Sequence, residues 1–275
     1  MEAACQEVEE VKVGFFQFRP LFGRVSQNLL KCTTALRAVQ ADLVVLPELA
    51  FSGYYFRDRA EVKALAEDAA DSPTLSTLAA LCRERRFHLV AGFAEKRRDK
   101  CFNSAALIGP DGLLHVYRKL HLFNDEKDWF DPGDTPPTVQ QVNGARVGVM
   151  ICFDWIFPEV ARSLALQGAD IVCHPSNLVL GHCQQAMRTR CIENRVFAIT
   201  ANRFGVDTRP HGRLKFTGRS QIVDPCGGVA AQAPAQRLSL QVIDIDLSTA
   251  RNKQITRTND VLGDRRPEHY STLVR

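Results

Sequence analysis

Ala41-Asp42-Leu43-Val44-Val45-Leu46-Pro47 returns in the second half of the chain as Ala169-Asp170-Ile171-Val172-Cys173-His174-Pro175. Each segment is a short apolar run opened by an acid and closed by a proline, the mark of a strand buried on both faces. The correspondence continues outward. Lys12-Val13-Gly14 parallels Arg146-Val147-Gly148, and Phe102-Asn103-Ser104-Ala105-Ala106-Leu107-Ile108-Gly109-Pro110-Asp111-Gly112 answers Arg219-Ser220-Gln221-Ile222-Val223-Asp224-Pro225-Cys226-Gly227-Gly228, in the same order. Two similar α/β halves follow from this repeat. A sheet covered by helices on one face still has an apolar face to bury, and stacking the two sheets buries both. The expectation is a four-layer α-β-β-α sandwich with pseudo-twofold related halves.

Around these runs, period-two and β-branched patterns predict strands over Val11 to Phe18, Asp42 to Leu46, His88 to Phe93, Ser104 to Ile108, Arg146 to Cys152, Asp170 to His174, Phe197 to Ala201, Ser220 to Val223 and Leu240 to Asp244. Helical periodicity predicts helices over Gln27 to Gln40, Thr74 to Arg86, Pro158 to Gln167 and Gln184 to Asn194. No stretch rich in Gly, Pro or Ser divides the halves, so residues 1–275 are expected to form a single domain.

Composition narrows the class. Hydrophobic residues make up 45% and charged residues 24% of the 275 residues, which excludes fibrous and low-complexity chains. Net charge is +4, from 35 basic and 31 acidic residues. Arg83-Glu84-Arg85-Arg86 and Lys96-Arg97-Arg98-Asp99-Lys100 are short and broken by acids, so they read as solvated surface and no nucleic-acid partner is expected. No apolar run is long enough for a membrane helix. The start, Met1-Glu2-Ala3-Ala4-Cys5-Gln6-Glu7, lacks the basic and apolar regions of an export signal, so a cytoplasmic location is expected. Nine cysteines, at 5, 32, 82, 101, 152, 173, 183, 191 and 226, form no Cys-x-x-Cys pair. They read as packed thiols without disulfides or metal.

One cysteine is placed differently. In Val147-Gly148-Val149-Met150-Ile151-Cys152-Phe153-Asp154-Trp155-Ile156-Phe157-Pro158-Glu159 an apolar strand ends at Cys152, a tight turn follows and a helix begins. That is how a nucleophile is presented at a strand's C-terminal end; a buried structural thiol is the alternative reading. A nucleophilic thiol needs a base or a cation beside it. None of the seven histidines sits in the neighbourhood of a cysteine protease, although a Cys-His scheme through His121 or His174 stays open. Glu48 closes Leu43-Val44-Val45-Leu46-Pro47 and Lys119 closes Val116-Tyr117-Arg118; each is either a functional charge or half of a rim salt bridge.

Leu46-Pro47-Glu48, Tyr117-Arg118-Lys119-Leu120-His121-Leu122-Phe123 and Gly148-Val149-Met150-Ile151-Cys152-Phe153-Asp154, in this order, resemble the three signatures of the nitrilase superfamily of carbon–nitrogen hydrolases. Further matching pieces are Phe51-Ser52-Gly53-Tyr54, Phe102-Asn103-Ser104, Pro132-Gly133-Asp134, Pro158-Glu159, Glu193-Asn194-Arg195 and Thr217-Gly218-Arg219-Ser220. The resemblance implies a four-layer α-β-β-α fold and a Glu48-Lys119-Cys152 triad, with Glu126 as a second glutamate that positions substrate and triad. In that scheme Cys152 attacks an amide carbonyl, and Glu48 moves the thiol proton to departing ammonia and then activates water. Lys119 and the backbone N–H of Phe153 would hold the oxyanion, and the nearby ammonium would favour thiolate. By motif position, Tyr54, Trp155 and Asn177 would shape the substrate pocket.

The expected substrate is a small linear amide or N-carbamoyl compound. Cys152-Phe153-Asp154 in place of a Cys-Trp-Glu sequence argues against a true nitrilase, which remains one alternative; a catalytically silent binding relative is another. No residue pattern calls for a metal or an organic cofactor, and no phosphate-cradling loop is present for ATP. Arg203, Arg209, His211, Arg213 and Lys215 cluster in a Gly-containing stretch that could attract a substrate carboxylate at the site mouth. The resemblance also implies a homodimer or higher homo-oligomer, with the segment from about 247 to 275 packing at the interface.

Overall fold

The computed structural model describes residues 10–274. Its strands are β1 (Glu10–Gln17), β2 (Leu43–Val45), β3 (His88–Arg97), β4 (Lys100–Gly109), β5 (Gly112–Arg118), β6 (Val139–Val142), β7 (Ala145–Val149), β8 (Ile171–Ser176), β9 (Phe197–Asn202), β10 (Phe204–Arg209), β11 (Gly212–Thr217), β12 (Gln221–Val223), β13 (Val229–Gln232) and β14 (Ser239–Asp246). The helices are α1 (Val25–Leu36), α2 (Arg59–Leu65), α3 (Pro73–Arg85), α4 (Glu126–Trp129), α5 (Pro158–Leu166), α6 (Cys183–Asn194) and α7 (Leu247–Arg251).

The first six-stranded sheet runs β14-β1-β2-β3-β4-β5 and the second β13-β12-β9-β8-β7-β6. In each, three parallel strands (β1, β2, β3 and β7, β8, β9) are followed by an antiparallel partner, β4 or β12, and flanked on the other edge by an antiparallel strand, β14 or β6. The repeat in the sequence is thus a repeat in topology.

The acid that opens each repeated segment explains part of its recurrence. Asp42 Oδ2 accepts the backbone N–H of Lys12 at 2.7 Å, and Asp170 Oδ2 accepts that of Arg146 at 2.9 Å. Their own backbones bridge the same strands: Asp42 N to Lys12 O and Asp170 N to Arg146 O are both 2.8 Å. On the other side, His88 N reaches Asp42 O at 2.8 Å and Phe197 N reaches Asp170 O at 2.9 Å. One aspartate in each half therefore laces three strand ends together.

Side-chain alternation sorts the apolar residues. Val13, Phe15, Leu43 and Val45 join Val147, Val149, Ile171 and Cys173 in one core that spans both sheets. Phe16, Val44 and Leu46 face outward and pack with Leu36 of α1 and with Leu75, Leu78 and Cys82 of α3. Among the described residues, no helix is long and apolar enough to cross a membrane.

The structure differs from the expectations at several edges. The strand predicted to end at Cys152 stops at Val149, and Cys152 opens a short 3-10 turn, Cys152–Ile156. β6, β10, β11 and β13 were outside the predicted set, as were the short helices α2, α4 and α7, and of β5 only the run closed by Lys119 was read. The stretch from 203 to 215 is largely a hairpin, β10 paired with β11, rather than a loop. Among the cysteines, 32, 82, 101, 173, 183 and 191 are buried thiols like Cys152, but Cys226 is exposed and Cys5 lies outside the described residues.

Candidate active site

Glu48 is carried beyond β2 by backbone that stays against β3: Leu46 N donates to Val90 O at 2.8 Å and Ala50 N to Gly92 O at 2.9 Å. The approach is close enough that a Cβ on Gly92 would stand 2.5 Å from the Glu48 Cα. Glycine is needed there for room. Lys119 follows β5, with its N–H on Asn103 O at 2.9 Å and its carbonyl accepting from Gly133 N at 2.8 Å. Gly133 is constrained in the same way, since a Cβ would meet Arg118 O at 2.3 Å. Pro132-Gly133-Asp134 therefore clamps the strand end that presents the lysine.

Glu48, Lys119 and Glu126 have no side-chain exposure and are joined through one ammonium. Lys119 Nζ donates to Glu48 Oε1 at 2.7 Å and to Glu126 Oε1 at 2.8 Å. Asn103 Nδ2 donates to the same Glu48 Oε1 at 2.7 Å, while Tyr54 Oη donates to Glu126 Oε1 at 2.7 Å. Phe123 N reaches Glu126 Oε2 at 3.2 Å, and Asn177 Nδ2 holds the Glu48 carbonyl at 2.8 Å. Glu48 Oε2, by contrast, is buried without a hydrogen-bond partner.

Charge within the cluster is unequal, with two carboxylates to one cation. Burial would push the Lys119 ammonium down, but Glu126 and Glu48 outweigh it and hold the group charged. Glu126 moves the other way: burial, then the neighbouring Glu48, raise it against the pull of Lys119 and the Tyr54 hydroxyl. Burial and the Glu126 carboxylate raise the Tyr54 phenol well above its usual value, so it stays a neutral donor.

Cys152 stands at a left-handed backbone position, φ 40°, which a side chain other than glycine occupies only when its surroundings enforce it. Two buried groups do so. Asp154 Oδ2 accepts from Ile151 N at 2.9 Å and from Tyr117 Oη at 2.8 Å, and its Oδ1 accepts from His121 N at 3.2 Å. From β8, His174 Nε2 donates to the Cys152 carbonyl at 2.9 Å, since a carbonyl can only accept; its Nδ1 lies 3.1 Å from Thr200 Oγ1. Burial lowers His174 to about 4, so the imidazole is neutral at ordinary pH. His174 thus grips the cysteine's backbone rather than its thiol. His121 pairs with Asp154 and stacks on Phe157. Neither histidine is placed as the base of a Cys-His pair.

The Cys152 thiol is pushed well above its usual range, first by burial and next by the Glu48 carboxylate; Lys119 and the Asn177 backbone N–H offset only part of this. The ammonium does favour thiolate, as expected, but burial and then the two carboxylates outweigh it, so the resting group is a thiol.

A narrow pocket of about 20 Å³ opens over Cys152, lined by Phe123, Phe153, Trp155, Asn177, Leu178, Val179 and Leu180. It gathers Cys152, Phe153, Trp155 and Asn177 from the residues singled out in the sequence. Tyr54 is not part of this lining and instead sits behind, on Glu126. Arg203, expected at the mouth, is fully buried, forked onto Asp207 at 2.7 Å and stacked on Phe216. Arg209 is held by Glu61 at 2.6 Å. Asn103 and Asp154 were not singled out as site residues, and His174 was named only as the base of a rival Cys-His scheme. The signal for each was a polar residue interrupting an apolar run.

The carbon-nitrogen hydrolase family model matches residues 12–254. A nitrilase of Pyrococcus abyssi is 42% identical over 94% of this chain and 99% of its own. An (R)-stereoselective amidase of a Pseudomonas species is 34% identical, over 93% of this chain and 92% of its own. Among solved structures, a carbon-nitrogen hydrolase from Helicobacter pylori superposes with a TM-score of 0.88 at 26% identity, covering 97% of this chain and 99% of its own.

Proposed function

The chain belongs to the carbon–nitrogen hydrolase family and is a hydrolase of C–N bonds; within that family we propose that it works as an amidase with Cys152 as nucleophile, Glu48 as proton carrier, and Lys119 and the Phe153 backbone N–H as oxyanion donors. The observation that carries this reading is the division of labour on the Glu48 carboxylate. One oxygen is tied by Lys119 and Asn103, and the other is buried with no partner, beside a thiol that burial keeps protonated. A base oxygen held free suits a thiol that must lose its proton only as it attacks.

The sequence of steps balances. The Cys152 sulfur bonds to the amide carbon while its proton passes to Glu48. Collapse of the tetrahedral adduct breaks the C–N bond, and Glu48 returns the proton to the departing ammonia. Water, deprotonated by Glu48, then adds to the thioester, and the proton goes back to the sulfur as the acid leaves. Lys119 stays charged throughout, so its donor is ready before the oxyanion forms. Glu126, anchored by Tyr54 and Lys119, fixes the direction of the ammonium.

The test is ammonia release from a panel of small amides, N-carbamoyl compounds and nitriles, with intact mass read on Cys152. Amide turnover with an acyl adduct is expected, and Cys152→Ala should lower kcat by about four orders of magnitude or more. Turnover that survives Cys152→Ala overturns the mechanism. Turnover confined to nitriles favours the activity named for the Pyrococcus relative.

The core shared by both sheets supports treating residues 1–275 as a single domain. Eight free cysteines among the described residues support a reducing, cytoplasmic setting. We also propose a homodimer that uses the segment from about 247, where Ile255 (58%) and Leu273 (64%) are exposed; Arg275 lies outside the described residues. Light scattering at twice 30.7 kDa is the expected result, and a monomer mass overturns it.

A further inference from the structure

Phe93, Ala106 and Val116 alternate onto the face of the first sheet that packs with α3, and Glu95, Arg97 and Arg118 continue that face past the helix. There the basic run that reads in the sequence as solvated surface has a floor beneath it. Arg97, Arg98, Lys100 and Arg118 line a groove of about 340 Å³ together with Asp99 and Asp134, so four cations face two acids. Arg97 and Lys100 stand directly opposite each other in the β3–β4 register, a like-charge pairing that costs stability unless an anion offsets it. Among the described residues, the side chains of Arg97, Arg98 and Lys100 are exposed and have no hydrogen-bond or ion-pair partner.

Arg118 is the floor. Its side chain is only 9% exposed and its guanidinium lies 4.3 Å over the Phe102 ring. Three of its five N–H donors are committed: Nε and Nη2 to Glu95 at 2.8 and 2.6 Å, and Nη1 to Asp134 at 3.0 Å. One N–H on each terminal nitrogen is left over. A fork already ordered by a ring and a carboxylate has little side-chain entropy left to lose, which separates it from an ordinary surface arginine. The nearby acids are engaged as well: Glu95 also accepts from Ser104 Oγ at 2.7 Å, and Asp68, on an adjoining groove, accepts from Ala70 N at 2.9 Å.

We propose that this groove binds a phosphoryl dianion, free or carried by a small phosphate ester, between the two spare N–H groups of Arg118 and the side chains of Arg97 and Lys100, and that binding slows turnover. Donors converging from three strands suit a doubly charged group with three acceptor oxygens better than a singly charged carboxylate with two. The link to the catalytic cluster is short. Arg118 precedes Lys119, and its partner Asp134 follows Gly133, whose N–H holds the Lys119 carbonyl. The bound oxyanion and the Asp134 carboxylate compete for one guanidinium and repel each other. Occupancy therefore draws Asp134 away and loosens the clamp that presents the lysine.

Calorimetric titration of the full chain with inorganic phosphate, glucose 6-phosphate and acetate, at constant ionic strength, tests the site without any turnover. One site with a Kd of about 1 mM or tighter is expected for phosphate or its ester, with acetate at least about tenfold weaker. Tighter binding of glucose 6-phosphate assigns the group to an ester, and equal or tighter binding of phosphate assigns it to the free ion. The double variant Arg97→Gln/Lys100→Gln should weaken binding at least about tenfold. Arg85→Gln/Arg86→Gln removes the same charge from two exposed arginines at the end of α3 and should change it less than about twofold. No binding, or equal weakening by both double variants, overturns the site. Saturating phosphate should lower kcat at least about threefold in wild type and not in Arg97→Gln/Lys100→Gln; a filled site with unchanged kcat overturns the coupling. The kcat arm rests on the amidase reading, whereas calorimetry decides the site even if no amide is turned over.

Discussion

The bond from His174 to the Cys152 carbonyl is the kind of contact a sequence hides, because the partners come from different elements and one partner is backbone. Glu48, Lys119 and Cys152 are legible because each is a reactive side chain closing an apolar run; His174 closes one too, but its chemistry is spent on geometry. Replacing it tests that. His174→Phe keeps a buried ring but loses the donor, and should lower kcat by about tenfold to a hundredfold with little change in KM, since the pocket walls stay in place. His174→Gln, which can still donate, should recover part of the loss. Equal activity of wild type and His174→Phe would mean that Cys152 holds its φ of 40° without His174, through the turn that Asp154 secures. Glu126 carries a second prediction at this scale. Its raised pKa means that Glu126 takes up a proton above the ordinary carboxylate range as pH falls. The acid limb of kcat/KM should therefore lie above about pH 4.5. Glu126→Gln removes one negative charge, so its residual activity should show that limb at lower pH. A limb that does not move assigns the ionisation elsewhere.

Elements place these side chains through close backbone contacts, and there the sequence was partly opaque. The strand β3 was expected from its apolar run, but that Gly92 within it must admit Glu48 is visible only once the two backbones meet. The hairpin of β10 and β11 was obscured because Gly205, Arg209, Gly212 and Arg213 dilute its alternation, and it is tied to the rest of the fold by Arg203, which donates to Pro20 O at 3.3 Å, and by Arg209, which pairs with Glu61 and stacks over Phe22. The strand ending at Val149 was read three residues too long because Met150 and Ile151 are apolar, yet the chain is already turning toward Cys152. Gly92→Ala makes the close approach measurable. Its new methyl must displace the Glu48 backbone, with a cost of about 2 kcal/mol from overpacking and at least a tenfold fall in kcat. Gly181→Ala, whose Cβ would meet nothing within 4 Å, is the control and should change neither denaturant midpoint nor turnover. Normal turnover by Gly92→Ala would show that Glu48 does not depend on that contact.

At the scale of the molecule, the two halves are alike in topology but not in how they are loaded, and Asp42 and Asp170 measure the difference. Both lace the same three strand ends. Asp42 is half-buried, whereas Asp170 is fully buried and also receives Arg146 at 2.8 Å and Arg251 at 3.3 Å, the latter from α7 near the C-terminus. Burial alone would raise the Asp170 carboxyl, but the bonds from Arg146 and Arg251 prevail and hold it below its usual 3.8. A depressed carboxyl contributes stability above its unfolded-state pKa and loses that contribution as pH falls through the folded value. Asp170→Asn should therefore cost about 2 kcal/mol at pH 7, less than a fully buried pair because both arginines are about one-third exposed and can turn to water. Asp42→Asn, closer to solvent, should cost about 1 kcal/mol or less. The gap between Asp170→Asn and wild type should hold from pH 7 to about pH 5 and close below pH 4, where wild type loses the same charge. Urea unfolding at pH 7, 5 and 3.5 reads all three quantities. Equal costs for the two substitutions would mean that the pseudo-twofold extends to energetics, and a gap that widens in acid would reverse the sign assigned to Asp170.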